Sequence, residues 1–463
     1  MLAYLENCPN CQTPISQPSL FANIGYLTPE QTSFVNEFTR AKSLSFCQAC
    51  GPKMLAKART NQRKRAWKSA NFFEEQKKHS LIKATIVDHY FDGWANILIG
   101  HMQRYPNRFS PRLVYADLFA GQGRYDDGQE STPLKILARV IENPKFRQYV
   151  HLVLNEKDEK TFSRLQEEVA SYPGLETLKY RPVITNLVVG SKEVTELFND
   201  TKRAPTLVFA DPWGYKGLSI DLFASILRKP GCEVIFFFNY NRINAAIHHS
   251  DKSLRKTMEL LFGEKRTELL RQELDAITDQ GQIRSAKREK AIVNAVEQAL
   301  KESVGASNLY TIDFRFRDEH GSRTTHHLIF ATTDKRGYAL MKEIMAGQST
   351  SAGTGQLFEH NPNPGCGPVQ QLLIQEPRPL EILAKQLQSF FAGKELTYPD
   401  LHNQHQFTTK YLEKDYRKAV LLLEEQGLIT VTPSRPLRPK RLGQPTLGER
   451  VLIKFPNLAS NSS

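Results

Sequence analysis

The stretch Leu113–Gly128, LVYADLFAGQGRYDDG, decides how the rest of the chain is read. An apolar run ends in Asp117, and Gly121 and Gly123 follow with one residue between them. This is the pattern of a buried strand that opens into a loop where backbone can approach a ligand closely. Three kinds of ligand compete for such a loop. A P-loop needs Gly-Lys-Ser/Thr to reach phosphates and magnesium, but Gly123 is followed by Arg124 and Tyr125. A dinucleotide fingerprint wants a third glycine where Asp126 stands. A ligand without phosphates, carrying an amino-acid end and a ribose, fits better. S-adenosylmethionine is such a ligand, and an acid at a strand tip holds its ammonium group directly or through water.

Working outward, the short apolar runs are LVYAD, YVHLVLNEKD, TLVFADPWG, EVIFFFNYN, NLYTIDFRF and HHLIFATT, separated by helical patterns. Strands alternating with helices predict parallel pairing, whereas the last two runs, joined by DEHGSRT, predict an antiparallel hairpin. The expected fold class is therefore α/β, with a Rossmann-like class I methyltransferase sheet. Glu156, at the tip of HLVLNE, is placed to accept hydrogen bonds from ribose hydroxyls, and Ile184, Thr185 and Asn186, in RPVITNL, to flank an adenine. Neighbouring tips meet at the switch point of such a sheet, so one ligand can touch all of them. The plainer alternative stays open: Asp117 caps a helix, Glu156 is a solvated charge and the glycines only turn the chain.

The fourth tip is VFADPWGY, Val208–Tyr215. Amino-methyltransferases of nucleic acids place Asp or Asn, Pro, Pro and an aromatic here. Asp211 then accepts one N–H of an exocyclic amine and the Pro212 carbonyl the other, aiming the lone pair in line, while Trp213 or Tyr215 stacks on the flipped base. Trp213 stands where that motif has its second Pro, which leaves open both the identity of the acceptor and a purely structural turn with Trp213 in the core. Methylation at cytosine carbon 5 needs a Pro-Cys nucleophile at this tip, and Cys232 instead begins a later strand.

The flanks carry charge and cysteine. The 463 residues hold 62 Lys and Arg against 49 Asp and Glu, a net charge of +13 that attracts polyanions over long range. Length implies several domains. With no apolar run of about 18 residues and no signal-peptide pattern at the start, a cytoplasmic protein with no membrane partner is expected. Residues 1–75 contain Cys8-x-x-Cys11 and Cys47-x-x-Cys50, two knuckles that supply four thiolates to a closed, structural zinc site. The basic run Gly51–Ala70 follows, with Lys57, Arg63, Lys64 and Arg65 as candidate phosphate contacts.

Residues 76–346 form the methyltransferase-like domain. It opens on a helix with Leu81, Ile82, Ile86, Tyr90, Trp94 and Leu98 at helical spacing, and it contains a charged helical insertion over 251–304. Residues 347–368 read as a linker, and 369–463 as a winged-helix domain. In that domain Lys410, Lys414, Arg417 and Lys418 lie on or near the third helix, with Arg435, Arg438, Lys440 and Arg441 on the wing. Two basic modules around one catalytic-looking domain favour a DNA or RNA partner. Solvated basic faces, or a winged helix used for protein contact, are the alternatives.

Five blocks, KATIVDHYFDGWANIL, YADLFAGQGRYDDGQESTPLKIL, VFADPWGY, FFNYNRIN and HHLIFATTDKRGYALMKEIM, together resemble the three-Cys-motif partner (TcmP) family over residues 77–455. The resemblance implies a methyltransferase-like fold with a winged-helix-like tail, and a partner protein with a three-cysteine motif encoded nearby. It carries over Asp117, Gly121 and Gly123 as the cofactor loop, with Phe119 inside it, and Asp211 and Pro212 as the catalytic tip. It supplies no substrate, and the cysteines of residues 1–75 lie outside it. The functional expectation is an S-adenosylmethionine-dependent methyltransferase acting on an exocyclic amine of a nucleic-acid base. Its rivals are an adaptor of the same fold without transfer activity and a protein methyltransferase. Nuclease activity is the least expected, since the sequence shows no compact cluster of acids and lysine with metal-ligand character.

Overall fold

The computed structural model describes residues 79–107, 110–199, 204–212, 214, 217–306, 308–351, 358–363, 379–441 and 443–457. The four zinc-site cysteines, the basic run with Lys57, Arg63, Lys64 and Arg65, and the stacking candidates Trp213 and Tyr215 lie outside the described residues.

Eight strands form one sheet: β1 Leu113–Asp117, β2 Val150–Asn155, β3 Val183–Thr185, β4 Thr206–Ala210, β5 Glu233–Phe238, β6 Tyr310–Arg317, β7 Thr324–Thr332 and β8 Glu359–His360. Their order is β3-β2-β1-β4-β5-β7-β6-β8. The first five run parallel, and β7 enters antiparallel between β5 and β6. This is the methyltransferase-type sheet that the alternating runs and the terminal hairpin predict. β1, β4 and β5 are buried along their whole length, as strands covered on both faces must be. Strand order reverses at β1, and Asp117 pairs in register with Leu154 and Phe209, so the β1, β2 and β4 tips end level with one another. A crevice at such a switch point is where open α/β sheets bind ligands.

Each face of the sheet has its own core. One lies beneath the helix over 79–104 together with helices Thr132–Glu142 and Lys335–Gln348, and includes Tyr90, Phe91, Tyr115, Leu137 and Met341. The buried stripe of the leading helix runs through Ile86, Val87, Tyr90, Phe91, Trp94 and Ala95, whereas Leu81, expected on that stripe, is 55% exposed. The opposite core joins helix Ile220–Leu227 to helices Lys252–Phe262, Glu264–Asp275 and Gly281–Val304. Residues 251–304 are thus the cover of one sheet face, with Ile292, Val296 and Leu300 in the same core as Phe223.

The expected linker needs correction. Within it β8 pairs parallel with β6, and Glu359 is buried against Arg315 and Arg317, each guanidinium placing an N–H 2.9 Å from its carboxylate. The winged-helix unit follows, with helices Pro379–Phe390, Tyr398–His405 and Glu413–Glu425. Strands β9 Glu395–Thr397, β10 Thr430–Thr432 and β13 Leu452–Lys454 make a sheet ordered β10-β13-β9, and β11 Lys440–Arg441 pairs with β12 Gln444–Pro445 as the wing. It has its own core around Leu387, Tyr416, Val420 and Ile453.

That unit is fastened to the large sheet. Phe407 stacks on Tyr310 with ring centroids 4.1 Å apart, and Lys342 Nζ donates to the Gln406 carbonyl at 2.7 Å. Lys410 donates to Asp313 Oδ1 at 2.6 Å. Lys410, expected on or near one face of the third helix, precedes that helix and ties the winged-helix unit to β6.

Candidate cofactor and active site

The β1 loop is built by backbone pairing. Leu118 N–H donates to the Phe209 carbonyl and Ala120 N–H to the Asn155 carbonyl, each at 2.9 Å, so the loop rises between the β4 and β2 tips. Gly121 has φ +67° and open space where a Cβ would stand. Its N–H donates to Glu156 Oε2 at 3.0 Å, which ties the loop to the β2 tip. Gly123, at φ +87°, would press a Cβ to 3.3 Å from Leu134 and 3.2 Å from Glu168.

Asp117 is 1% exposed and accepts the Phe119 N–H at 3.1 Å. Burial raises its carboxyl to about 8 against that hydrogen bond, with Asp211 and Glu156 adding to the rise and Lys83 opposing it. The tips are held by Asn155, a fully buried amide that the sequence reading missed. It donates to the carbonyls of Leu118 and Leu187 and accepts from Leu187 N–H and Thr185 Oγ1. Thr185 and Asn186 sit at the expected tip, but their side chains are already engaged: the Thr185 hydroxyl with Asn155, and the Asn186 amide with the Glu156 carbonyl at 2.8 Å.

Sequence reasoning also missed the partner of Asp211. Lys83, from the leading helix and 7% exposed, forms an ion pair with Asp211 Oδ2, and its ammonium lies 4.7 Å from the centroid of Phe237. His326 stacks on the same ring at 4.6 Å and 13°. His79, one helical turn before Lys83, packs 5.1 Å from Phe316 and 5.9 Å from His360. Burial lowers His79 to about 4 and His326 to about 3, with neighbouring cationic groups adding to the effect, so both rings are neutral at pH 7. His79 Nε2 and His326 Nδ1 are buried without hydrogen-bond partners among the described residues. A signal was present: Lys83, Val87, Tyr90 and Trp94 share one helical stripe, and a lysine on an apolar stripe calls for a partner.

In the winged-helix unit Lys414, Arg417, Lys418, Lys440 and Arg441 are exposed, although Arg417 also donates to Glu413 at 2.7 Å. Arg438 is corrected. It is buried and paired with Glu424, so its guanidinium is not displayed to a phosphate. Among the described residues no group of three or more His, Cys, Asp or Glu is arranged to hold a metal ion, and no helix is long and apolar enough to cross a membrane.

A family model described as the GMT-like wHTH domain matches residues 359–436, from β8 to just beyond β10. No curated protein matches the sequence. Among solved structures the chain is similar to the CurJ carbon methyltransferase, at 14% identity and TM-score 0.28, covering 54% of this chain and 54% of that one. The chain thus spans about half the length of that protein. It is also similar to the glycopeptide N-methyltransferase MtfA complexed with S-adenosyl-L-methionine, at 11% identity and TM-score 0.26, covering 50% of this chain and 86% of that one. A third is the methyltransferase domain of bacterial CtHen1-C, at 10% identity and TM-score 0.25, covering 51% of this chain and 96% of that one. Likeness at this level adds nothing to the strand order and register, which carry the assignment of a methyltransferase-type fold with a winged-helix domain.

Proposed function

We propose that the chain is an S-adenosylmethionine-dependent methyltransferase acting on an exocyclic amine of a base in DNA or RNA. The carrying observation is Asp117, a fully buried carboxyl that burial holds near 8 beside a glycine loop with open space at Gly121. Such a carboxyl gains most from a cationic ligand, and the ammonium group of the cofactor's amino-acid end is one. Glu156, steadied by the N–H groups of Gly121 and Asp158, accepts from ribose hydroxyls. Phe119 and Gly123 shape the loop, and Thr185 and Asn186 act through the frame they hold beside the adenine.

When bound, the cofactor supplies an electrophilic methyl group on a sulfonium. Asp211 and the Pro212 carbonyl accept the two amine N–H groups and so direct the nitrogen lone pair. Trp213 or Tyr215 provides the stacking wall. Cys8, Cys11, Cys47 and Cys50 hold a structural zinc, and Lys57, Arg63, Lys64 and Arg65, with Lys414, Arg417 and Arg441, line the phosphates. Labelled cofactor tests the first step: absence of binding at millimolar concentration overturns the reading. Asp211→Ala abolishes transfer and leaves cofactor binding intact; retained activity removes its role.

The alternative is an adaptor of the same fold without transfer activity, in which the Lys83–Asp211 ion pair stays closed. Cofactor binding without methyl transfer to host nucleic acid would support it, and mass spectrometry of a co-expressed three-Cys-motif partner tests transfer to protein.

A further inference from the structure

We infer that Lys83 and Asp211 form a donor and acceptor pair that reads an amidine on the Watson–Crick edge of a base, meaning an amine flanked on that edge by a ring nitrogen with a free lone pair. The inference rests on the amine-methylation reading and names its substrate class. Adenine presents such an edge with its N6 amine and N1, and cytosine with its N4 amine and N3.

The ion pair is asymmetric in a useful way. The Lys83 side chain is 8% exposed and that of Asp211 25%, so both keep some access to solvent, the acceptor more than the donor. An ammonium has three N–H donors, and Asp211 Oδ2 is the one hydrogen-bond acceptor of Lys83 among the described residues. The Phe237 ring beneath it attracts the charge but takes no conventional hydrogen bond. Asp211 keeps Oδ1 and further lone pairs. The tip therefore displays an acceptor beside a donor, complementary to a donor beside an acceptor on the substrate.

The surroundings make this selective. Lys83 lies on the buried stripe of its helix, and the stacked pair Phe237 and His326 walls one side. The buried, unpartnered nitrogens of His79 and His326 belong to neutral rings, so they add polar groups without adding charge that would compete with Lys83. In so dry a setting an unmade hydrogen bond is costly, and a base edge that opposes N–H to N–H is rejected. The Watson–Crick edge of guanine does this, since its N1 carries a proton beside the N2 amine. An alkylamine such as a lysine side chain offers no adjacent acceptor.

The test uses the full chain, S-adenosylmethionine with a labelled methyl group, and single-stranded oligonucleotides of DNA and of RNA. Each carries one target amine in adenine, 1-deazaadenine, cytosine, 3-deazacytosine or guanine. With wild type, replacing the ring nitrogen of the preferred base by carbon is expected to lower kcat/KM at least tenfold, with guanine unmodified. In Lys83→Met the natural base falls by a similar factor and the deaza replacement costs nothing further. A purely charge-balancing lysine would lower both substrates equally and leave the ratio intact. Equal rates on natural and deaza bases with wild type, an unchanged ratio in Lys83→Met, or transfer to guanine overturns the inference alone. The wild-type comparison decides even where the variant does not fold. No transfer to any of these oligonucleotides, with cofactor bound, overturns the amine-methylation reading and the inference with it.

Discussion

Replacing Asp117 by Asn separates the proposed cofactor role of that carboxyl from its structural cost. With the group held near 8, about 1% is ionised at pH 6 and about half at pH 8. A cationic ligand group binds the ionised form, so cofactor affinity of the wild type should rise on the order of fifty-fold, about 2 kcal/mol, between those pH values. Asp117→Asn should bind weakly and with little pH dependence. Titration calorimetry in two buffers of different ionisation enthalpy reads the linked proton, close to one released per cofactor bound at pH 6.

The same shift acts on stability in the opposite direction. The folded chain keeps a proton on Asp117 that the unfolded chain, with its ordinary value of 3.8, has lost. Stability therefore falls as pH rises from about 4 to about 8 and levels off above. At pH 7 the cost is about 4 kcal/mol, so ligand-free Asp117→Asn should melt higher than wild type. Wild-type affinity that does not change from pH 6 to 8, or an Asn variant that keeps the slope, refutes the assignment of Asp117 as the cation-binding group.

Other consequences follow from the packing and the charges. At Gly337 a Cβ would lie 2.3 Å from Glu233 Oε1 and 2.8 Å from the Tyr90 hydroxyl, so Gly337→Ala should cost about 1–3 kcal/mol by overpacking, measured by chemical denaturation. Burial lowers Lys342 to about 7 from 10.5, so the unfolded chain binds more protons over that range and stability should rise with pH from 7 to 10, by at most about 1.4 kcal/mol per unit. Lys342→Met should flatten this rise in thermal melts. If the exposed lysines and arginines of the winged-helix unit contact phosphates, Lys414→Ala with Arg441→Ala should reduce the slope of log affinity against log salt by about 2, with little change in sequence preference. An unchanged slope places nucleic acid elsewhere on the chain.

What could be read from the sequence was what local pattern controls. Asp117, Gly121, Gly123 and Glu156 meet because period-two runs and glycine turns fix strand tips, and level tips follow from parallel register. The hairpin and the winged-helix order were legible for the same reason. The remainder depends on partners remote in sequence. Lys83 finds Asp211 across 128 residues and Lys410 finds Asp313 across 97, distances over which no spacing rule operates. Arg438 looks like any wing arginine until Glu424 is brought against it. β8 is too short to announce itself, since a two-residue strand is held by β6 and by the arginines around Glu359.

The anchoring of the winged-helix unit through Phe407, Lys342 and Lys410 has a consequence for any nucleic acid it grips. A tethered reader searches around its target, whereas one bolted to the sheet acts as a ruler. On the proposed function, the count of nucleotides between the segment under the third helix and the modified base becomes a constant of the molecule. Lengthening the spacer in a substrate should move the methyl group to a different base, not stretch the protein to reach the old one.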